Sequence, residues 1–231
     1  MPLIIGITGS IASGKSTACQ YLQSRGAIHC DADKLVHRMY DPGKPAFDRI
    51  VKAFGEMVVD DDGAIDRKIL GGKVFGKPKK MAKLTEAIGD IFAEVSGVMG
   101  KWRNTLAPHE IGIMEAVNFI EAGYGQFSDV TWLFTVDDNL AMSRLMARNN
   151  LDQTAAEQRL ASQRKWEDRA PAADVVTHNV GTKVDLRRKV ELEISRIRSE
   201  QRTGTLPTSK YMPWYEDKMS KTKPGGKVEK S

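Results

Sequence analysis

The sequence has few cysteines and no long apolar run. Its only two cysteines, Cys19 and Cys30, do not form a C-x-x-C pair, so we predict neither a disulfide framework nor a zinc site. We expect both to be small buried hydrophobic residues in a reducing cytoplasm. No apolar stretch approaches the roughly 20 residues that span a bilayer, so we expect no membrane partner. The histidines lack ligand spacing, and we assign no metal to any of them: 29, 37, 109 and 178.

The first 200 residues also lack an excess of basic charge. The net charge of +5 would indicate a nucleic-acid partner if it were spread over the fold. Residues 201–231, however, hold seven basic and three acidic side chains, an excess of four. We therefore expect no nucleic-acid partner. The composition of 201–231 is typical of a basic, largely disordered tail, in which 212–215 is the one apolar segment and the candidate for local docking.

Residues 9–17 fit the phosphate-binding pattern G-x-x-x-x-G-K-[ST] in the context that this pattern requires. The apolar run 3–7 predicts a buried strand before them, and 17–25 predicts a helix after them, with Gly26 at its C-terminal cap. The glycines turn the backbone so that N–H groups surround phosphate oxygens, and the helix N-terminus adds partial positive charge. The chain is therefore predicted to bind a nucleoside triphosphate through nine residues: Gly9, Ser10, Ile11, Ala12, Ser13, Gly14, Lys15, Ser16 and Thr17.

Two side chains of this loop have predicted chemical roles. Lys15 should reach the β- and γ-phosphates, and the Ser16 hydroxyl should bind Mg²⁺. ATP and Mg²⁺ are accordingly the expected cofactors.

Two aspartates follow the second predicted strand, 27–30. The carboxyl end of a strand beside a phosphate loop is where ligands bind in an open parallel sheet. We interpret Asp33 as the general base for an acceptor hydroxyl and Asp31 as a ligand of Mg²⁺ or its water. The alternative is that one of the two only caps the following helix, 34–40.

A helical block is predicted over about 45–105, with a long stretch from 79 broken near Gly97 or Gly100. We expect this block to bind the acceptor. Further strands are predicted at 111–114, 130–136 and 173–177, which completes a five-stranded parallel sheet flanked by helices.

Several arginines cluster between Arg144 and Arg169. In phosphotransferases of this size, such a segment is a lid whose guanidinium groups clamp phosphates and exclude water. Arg148 and Arg159 are the candidates for catalysis. The alternative is that these arginines are solvated surface charges.

Taken in order, these motifs resemble the dephospho-CoA kinase family over roughly residues 3–197. Besides the loop and Asp31-Ala32-Asp33, the similar blocks are 42–46, 62–70, 121–124, 144–150, 159–163 and 173–176. The resemblance implies a P-loop kinase domain over 1–200, with an acceptor subdomain at about 45–105 and a lid at about 148–170. It also implies phosphorylation of a small molecule, the ribose 3′-hydroxyl of dephospho-CoA, by ATP to give coenzyme A, with Asp33 as the catalytic base.

The sequence departs from the family pattern at three places, all nearer the acceptor than ATP. His37 stands where the family usually has arginine, Gly89-Asp90 replaces a His-Pro pair, and Val117-Asn118 begins a segment that usually reads Pro-Leu-Leu-Phe-Glu. Two alternatives therefore stay open: a nucleoside or nucleoside-monophosphate kinase on the same scaffold, and a nucleotide-binding protein with lapsed activity. The intact Lys15 and Asp33 favour an active enzyme.

Overall fold

The computed structural model describes residues 1–222 of the 231-residue chain. Its strands are β1 (Leu3–Gly9), β2 (Ile28–Asp31), β3 (Ile111–Glu115), β4 (Val130–Thr135) and β5 (Val175–His178). They form one sheet in the order β2-β3-β1-β4-β5. All seven residues of β1 are buried because it pairs in parallel with β3 on one side and β4 on the other. The predicted five-stranded parallel sheet is confirmed.

Ten α-helices accompany the sheet within residues 1–222. None of them is long and apolar enough to cross a bilayer. They are α1 (Lys15–Ser24), α2 (Ala32–Met39), α3 (Pro45–Phe54), α4 (Arg67–Val74), α5 (Pro78–Ile88), α6 (Ile91–Thr105), α7 (Asp138–Asn149), α8 (Gln153–Ala161), α9 (Lys183–Thr203) and α10 (Tyr211–Thr222).

The main core lies where α1 and α9 meet the sheet. Aromatic side chains of β4 fill its centre: Trp132 and Phe134 are fully buried and stack with ring centroids 5.2 Å apart. The indole N–H of Trp132 donates to the hydroxyl of Thr177 on β5 at 2.8 Å. This buried donor is therefore satisfied, and the bond links the two neighbouring strands.

The chain divides into two compact units. One comprises Met1–His29 with the residues from Met99 onward, and it contains β1, β3, β4 and β5. The other, Cys30–Val98, is mainly helical, and its own apolar core includes Ile50, Leu70 and Ile88. The predicted acceptor block falls largely within this second unit, and its role stays a prediction.

The second unit is tied internally by Arg49. Its guanidinium donates to the carbonyls of Ala87 (2.8 Å) and Ile88 (3.2 Å), where α5 ends. The predicted break near Gly97 or Gly100 is wrong, since α6 runs through both positions. The chain breaks instead after Ile88, where Gly89 adopts a φ of 105° that side chains of other residues rarely tolerate.

The prediction of a largely disordered tail is wrong for residues 201–222, while 223–231 lie outside the described residues. Helix α9 continues to Thr203, and α10 packs through Tyr211, which is fully buried. The Tyr211 ring lies so close to Gly125 that a Cβ there would come within 2.2 Å of it. Its hydroxyl donates to the carbonyl of Ile120 at 3.0 Å. A large, fully buried side chain with a satisfied hydroxyl thus anchors this otherwise polar segment.

The connection into α10 is anchored by Asp174. Its carboxylate accepts from the Ser209 hydroxyl at 2.8 Å and from the Lys210 N–H at 2.6 Å. It also accepts from the N–H of Thr131 on β4 at 2.7 Å. The start of α10 is therefore fixed to the sheet by a carboxylate as well as by Tyr211.

We expect Tyr211→Ala to lower the free energy of unfolding by about 3–5 kcal/mol, because it removes a fully buried aromatic ring. Tyr211→Phe, which removes only the hydroxyl, should cost about 1 kcal/mol. Urea unfolding followed by circular dichroism measures both. Trp214→Ala, on a half-buried neighbour in the same helix, is the matched control and should cost less. Equal losses for Tyr211→Ala and Trp214→Ala would contradict the anchoring role of Tyr211.

Candidate active site

The loop after β1 turns sharply into α1, which begins at Lys15. Gly14 makes this turn with φ of 90° and ψ of 8°. A Cβ at this position would come within 2.5 Å of the Asn179 amide nitrogen and 2.7 Å of a Leu186 methyl group. Glycine is thus required both by conformation and by space. The first N–H groups of α1 have no partner within the helix and carry the positive end of its dipole toward the loop.

Two side chains from distant parts of the chain hold the carbonyls of the loop. Arg144 on α7 donates to the Ala12 carbonyl at 3.3 Å and to the Asn179 carbonyl at 3.0 Å. The Asn179 amide donates to the Ser13 carbonyl at 2.8 Å. A carbonyl and the next N–H point in opposite directions across a trans peptide, so this last bond turns the Gly14 N–H away from Asn179. The backbone donors of the loop are oriented by these contacts.

Lys15 and Ser16 both meet the carboxylate of Glu115, the last residue of β3. The Lys15 Nζ lies 3.1 Å from Oε1, and the Ser16 hydroxyl donates to the same oxygen at 2.7 Å. The other oxygen, Oε2, lies 3.0 Å from Nε2 of His29 on β2. The register pairs Glu115 with Ile7, two residues before the loop. The sheet itself therefore brings this carboxylate to the phosphate loop.

The surroundings of Glu115 keep it ionised. Its burial raises the pKa, but the hydrogen bond from His29, the charge of Lys15 and the bond from Ser16 outweigh burial and lower the pKa to about 2. Glu115 is not among the residues that the motifs predict. Its position at the carboxyl end of a strand is the signal that could have identified it, since the same signal marks Asp31 and Asp33.

A cavity of about 200 Å³ opens at the loop. It is lined by the whole of 9–17 together with Val117 and Arg148. A larger cavity of about 650 Å³ shares Ser10 with it and extends between α7 and α8. The backbone donors, the cation of Lys15 and the adjoining space fit a nucleoside triphosphate. The oxygen atoms of Ser16 and Glu115 are the type of ligand that Mg²⁺ prefers.

The other predicted site residues lie in different places. Arg148 lines the loop cavity, whereas Arg159 is exposed on α8 and does not line it. Asp31 and Asp33 belong to the second unit. There Asp31 Oδ1 accepts from the N–H groups of Asp33 (3.0 Å) and Lys34 (3.2 Å). The expectation that one aspartate caps the helix is thus confirmed for Asp31, and the catalytic roles of both stay predictions.

Arg169, at the end of the predicted lid, is buried and paired. It lies 2.9 Å from a carboxylate oxygen of Glu121. It also donates to the Thr8 hydroxyl and to the Val117 carbonyl, both at 2.6 Å. Because Val117 lines the loop cavity, Arg169 fixes one wall of that cavity.

A parallel sheet whose central strand leads through a Gly-Lys-Ser loop into a helix, with lysine and serine meeting one carboxylate, defines a P-loop kinase. The comparisons with known proteins specify it further: a family model described as dephospho-CoA kinase matches residues 3–185. The chain belongs to the dephospho-CoA kinase family, and the resemblance stated from the motifs is confirmed.

Individual relatives agree with this assignment. The dephospho-CoA kinase of Geobacter sulfurreducens is 41% identical over 192 residues, which cover 81% of this chain and 95% of that protein. A crystal structure from Thermus thermophilus is similar with a TM-score of 0.69 and 28% identity, over 85% of this chain and 98% of that one. Dephospho-CoA kinase from Campylobacter jejuni is similar with a TM-score of 0.59 and 26% identity, over 84% and 96% of the two chains.

We expect Glu115→Gln to flatten the acid dependence of stability. The pKa of Glu115 is lowered by folding, so its contribution is present above the ordinary value of 4.5 and is lost as the pH falls toward about 2. Over that range the wild type should lose up to about 3 kcal/mol more than the variant. Chemical denaturation at a series of pH values measures the difference. Glu86→Gln, on an exposed residue of α5, should follow the wild type. A parallel decline of all three proteins would contradict the assignment.

Proposed function

We propose that this chain transfers the γ-phosphoryl group of ATP to the ribose 3′-hydroxyl of dephospho-CoA, which gives coenzyme A. The observation that carries the proposal is the meeting of Lys15 and Ser16 at Glu115 in a phosphate loop, within a chain that matches the dephospho-CoA kinase family over residues 3–185. The phosphate loop supports the use of ATP, and the family supports the acceptor.

The loop residues act by placing positive charge around the phosphates. The N–H groups of the loop and the N-terminus of α1 bind phosphate oxygens, while Lys15 neutralises charge on the migrating group. Arg148 lines the same cavity and is the first candidate for a second cation there. Phosphoryl transfer passes through a loose transition state with charge spread over the equatorial oxygens, so fixed cations lower its free energy.

Mg²⁺ would be held by Ser16, with the carboxylate of Glu115 beside that hydroxyl. When bound, it neutralises charge on the β- and γ-phosphates. Asp31 is the other ligand that the sequence predicts. Its Oδ1 caps α2 and its Oδ2 lies 3.5 Å from the Lys34 ammonium, and its role toward the metal remains a prediction.

Asp33 is the proposed base that orients and deprotonates the acceptor hydroxyl. It is the second residue of α2, just after β2, in the Asp-x-Asp element that is similar to the family's. The second unit also contains a cavity of about 510 Å³ lined by two cations, Arg38 and Lys44, and by two carboxylates, Asp41 and Glu94. The two cations are the candidates to bind the diphosphate of dephospho-CoA. Next to Arg38 is His37, which stands where the family usually has an arginine. Its ring accepts a hydrogen bond from Arg67 at 3.2 Å.

A cytoplasmic location is part of the proposal. Neither Cys19 nor Cys30 is in a disulfide, which fits a reducing compartment.

We expect Lys15→Ala to reduce turnover by at least about 10³-fold, because it removes a cation from the transferring group. ATP binding, measured by calorimetry, should weaken much less.

Arg148→Ala should lower kcat by roughly 10–10³-fold. Arg159→Ala is the informative comparison, since Arg159 does not line the loop cavity. A comparable loss there would show that α8 contributes to the transition state, and near-normal turnover of Lys15→Ala would contradict the assigned role of Lys15.

We expect Asp33→Asn to lower kcat by roughly 10²–10⁴-fold with little change in the KM for ATP, as general-base loss does. Asp61→Asn, in an exposed turn of the same unit, is the control. The release of ADP is measured with dephospho-CoA, nucleosides and nucleoside monophosphates as acceptors. Preference for a nucleoside monophosphate would contradict dephospho-CoA as the acceptor but not the fold. ATP binding without phosphorylation of any acceptor would overturn the enzyme in favour of a nucleotide-binding protein.

A further inference from the structure

Three potential metal-binding side chains meet behind the phosphate loop. The Cys19 sulfur, a ring nitrogen of His29 and a carboxylate oxygen of Glu115 all lie within 4.8 Å of one another. They come from α1, β2 and β3, all within the first unit. Spacing along the chain does not show this group, because its members are ten and eighty-six residues apart. We refer to it as the Cys19–His29–Glu115 cluster.

The fold places this cluster next to the loop for a simple geometric reason. Cys19 follows Lys15 by four residues and Ser16 by three, so all three side chains share one face of α1. That face is turned to the end of β3, where Glu115 accepts from Lys15 and Ser16. His29 approaches the same carboxylate from β2. Glu115 therefore belongs both to the loop and to the cluster.

We propose that the Cys19–His29–Glu115 cluster binds a thiophilic divalent cation such as Zn²⁺, and that this binding weakens nucleotide binding at the phosphate loop and lowers turnover. Thiolate, imidazole and carboxylate are all ligands of zinc in proteins. With metal–ligand distances of about 2.0–2.3 Å, tetrahedral ligands lie roughly 3.3–3.7 Å apart. The carboxylate and imidazole, at 3.0 Å, would separate by a few tenths of an ångström, and a distance at the 4.8 Å limit of the cluster would contract by about 1 Å.

The charge balance of the cluster suits a dication in a buried place. Cys19 is fully buried, and the side chains of His29 and Glu115 are only 11% and 6% exposed. Upon binding, the ion replaces the thiol proton of Cys19, which goes to solvent. One thiolate and one carboxylate then neutralise the two positive charges of the ion, and the Lys15 ammonium loses the carboxylate charge that balanced it.

The same ion would compete with the loop for Glu115. The carboxylate accepts from Lys15 and Ser16 through one oxygen and meets His29 through the other. A metal on this carboxylate and on His29 withdraws electron density from the bonds to Lys15 and Ser16 and removes the bond from His29. Because coupling between two sites is reciprocal, a nucleotide at the loop should weaken the metal as much as the metal weakens the nucleotide.

The metal site is tested with Co²⁺ as a spectroscopic probe on the metal-free, full-length protein without nucleotide. We expect one ion per chain, with a sulfur-to-cobalt charge-transfer band that Zn²⁺ abolishes by competition. Cys19→Ser and Cys19→Ala should both lose the band, and Cys30→Ser, the matched control, should keep it. His29→Gln should weaken binding at least tenfold. Melting curves establish that each variant is folded. Absence of the band, or its persistence in folded Cys19 variants, would overturn the site.

The antagonism is tested by turnover, and this part rests on the proposed function. With Mg²⁺-ATP near its KM, free Zn²⁺ at a concentration that saturates the metal site in the presence of the same nucleotide should reduce turnover at least fivefold in the wild type and in Cys30→Ser. Cys19→Ser should be insensitive. Equal inhibition of all three would overturn the antagonism, as would no inhibition of the wild type. If dephospho-CoA is not the acceptor, the cobalt spectra still decide the metal site, so the two failures are distinguishable.

Discussion

The phosphate loop depends on one buried carboxylate. Glu115 is 5% exposed and meets three donors from two elements, Lys15 and Ser16 of α1 and His29 of β2. A buried charge without partners is costly, so the carboxylate and its donors hold one another in place. The side chains that the loop offers to a nucleotide are thereby positioned before any nucleotide binds. Such preorganisation spares the reorganisation of charges during the reaction.

A second set of contacts, around Arg169, supports the wall of the loop cavity and does not involve Lys15. Arg169 joins Thr8 of β1 to the Val117 carbonyl, and Glu121 neutralises it. The carbonyl of Ile120, next to Glu121, accepts the Tyr211 hydroxyl. These contacts form a continuous connection from the C-terminal helix to the wall of the loop cavity. The match to the family model ends at residue 185, so the last part of this connection lies beyond it.

What the sequence predicts well is local. The apolar run of β1, the glycine pattern of the loop and the helix after it are contiguous, and each is set by short-range geometry. The five strands follow from the same kind of signal. Glu115, Arg144 and Asn179 act on the loop from about 100 to 166 residues away, and no periodicity connects such positions. Their roles appear only when the strands are ordered and the register is known.

The tail shows a different limit of sequence reasoning. Averaged over residues 201–231, composition favours disorder, but a few anchoring contacts can order a segment that is otherwise polar. Tyr211 is such an anchor because the backbone at Gly125 leaves room for its ring, and Asp174 holds the residues before it. The position of the helix break shows the same limit. The sequence offers several glycines at which the helix could end, and the chain breaks at Gly89, where φ is positive.

The docking of Tyr211 also sets an order of events during synthesis. Its partner Ile120 precedes it by 91 residues. At about 5–20 residues per second, a ribosome needs several seconds to travel that distance. All five strands have been made by then, while the turn around Gly125 still lacks its cover. The wall of the nucleotide cavity is thus completed only after all five strands have been made, and a nascent chain released before Tyr211 would carry the loop without that support.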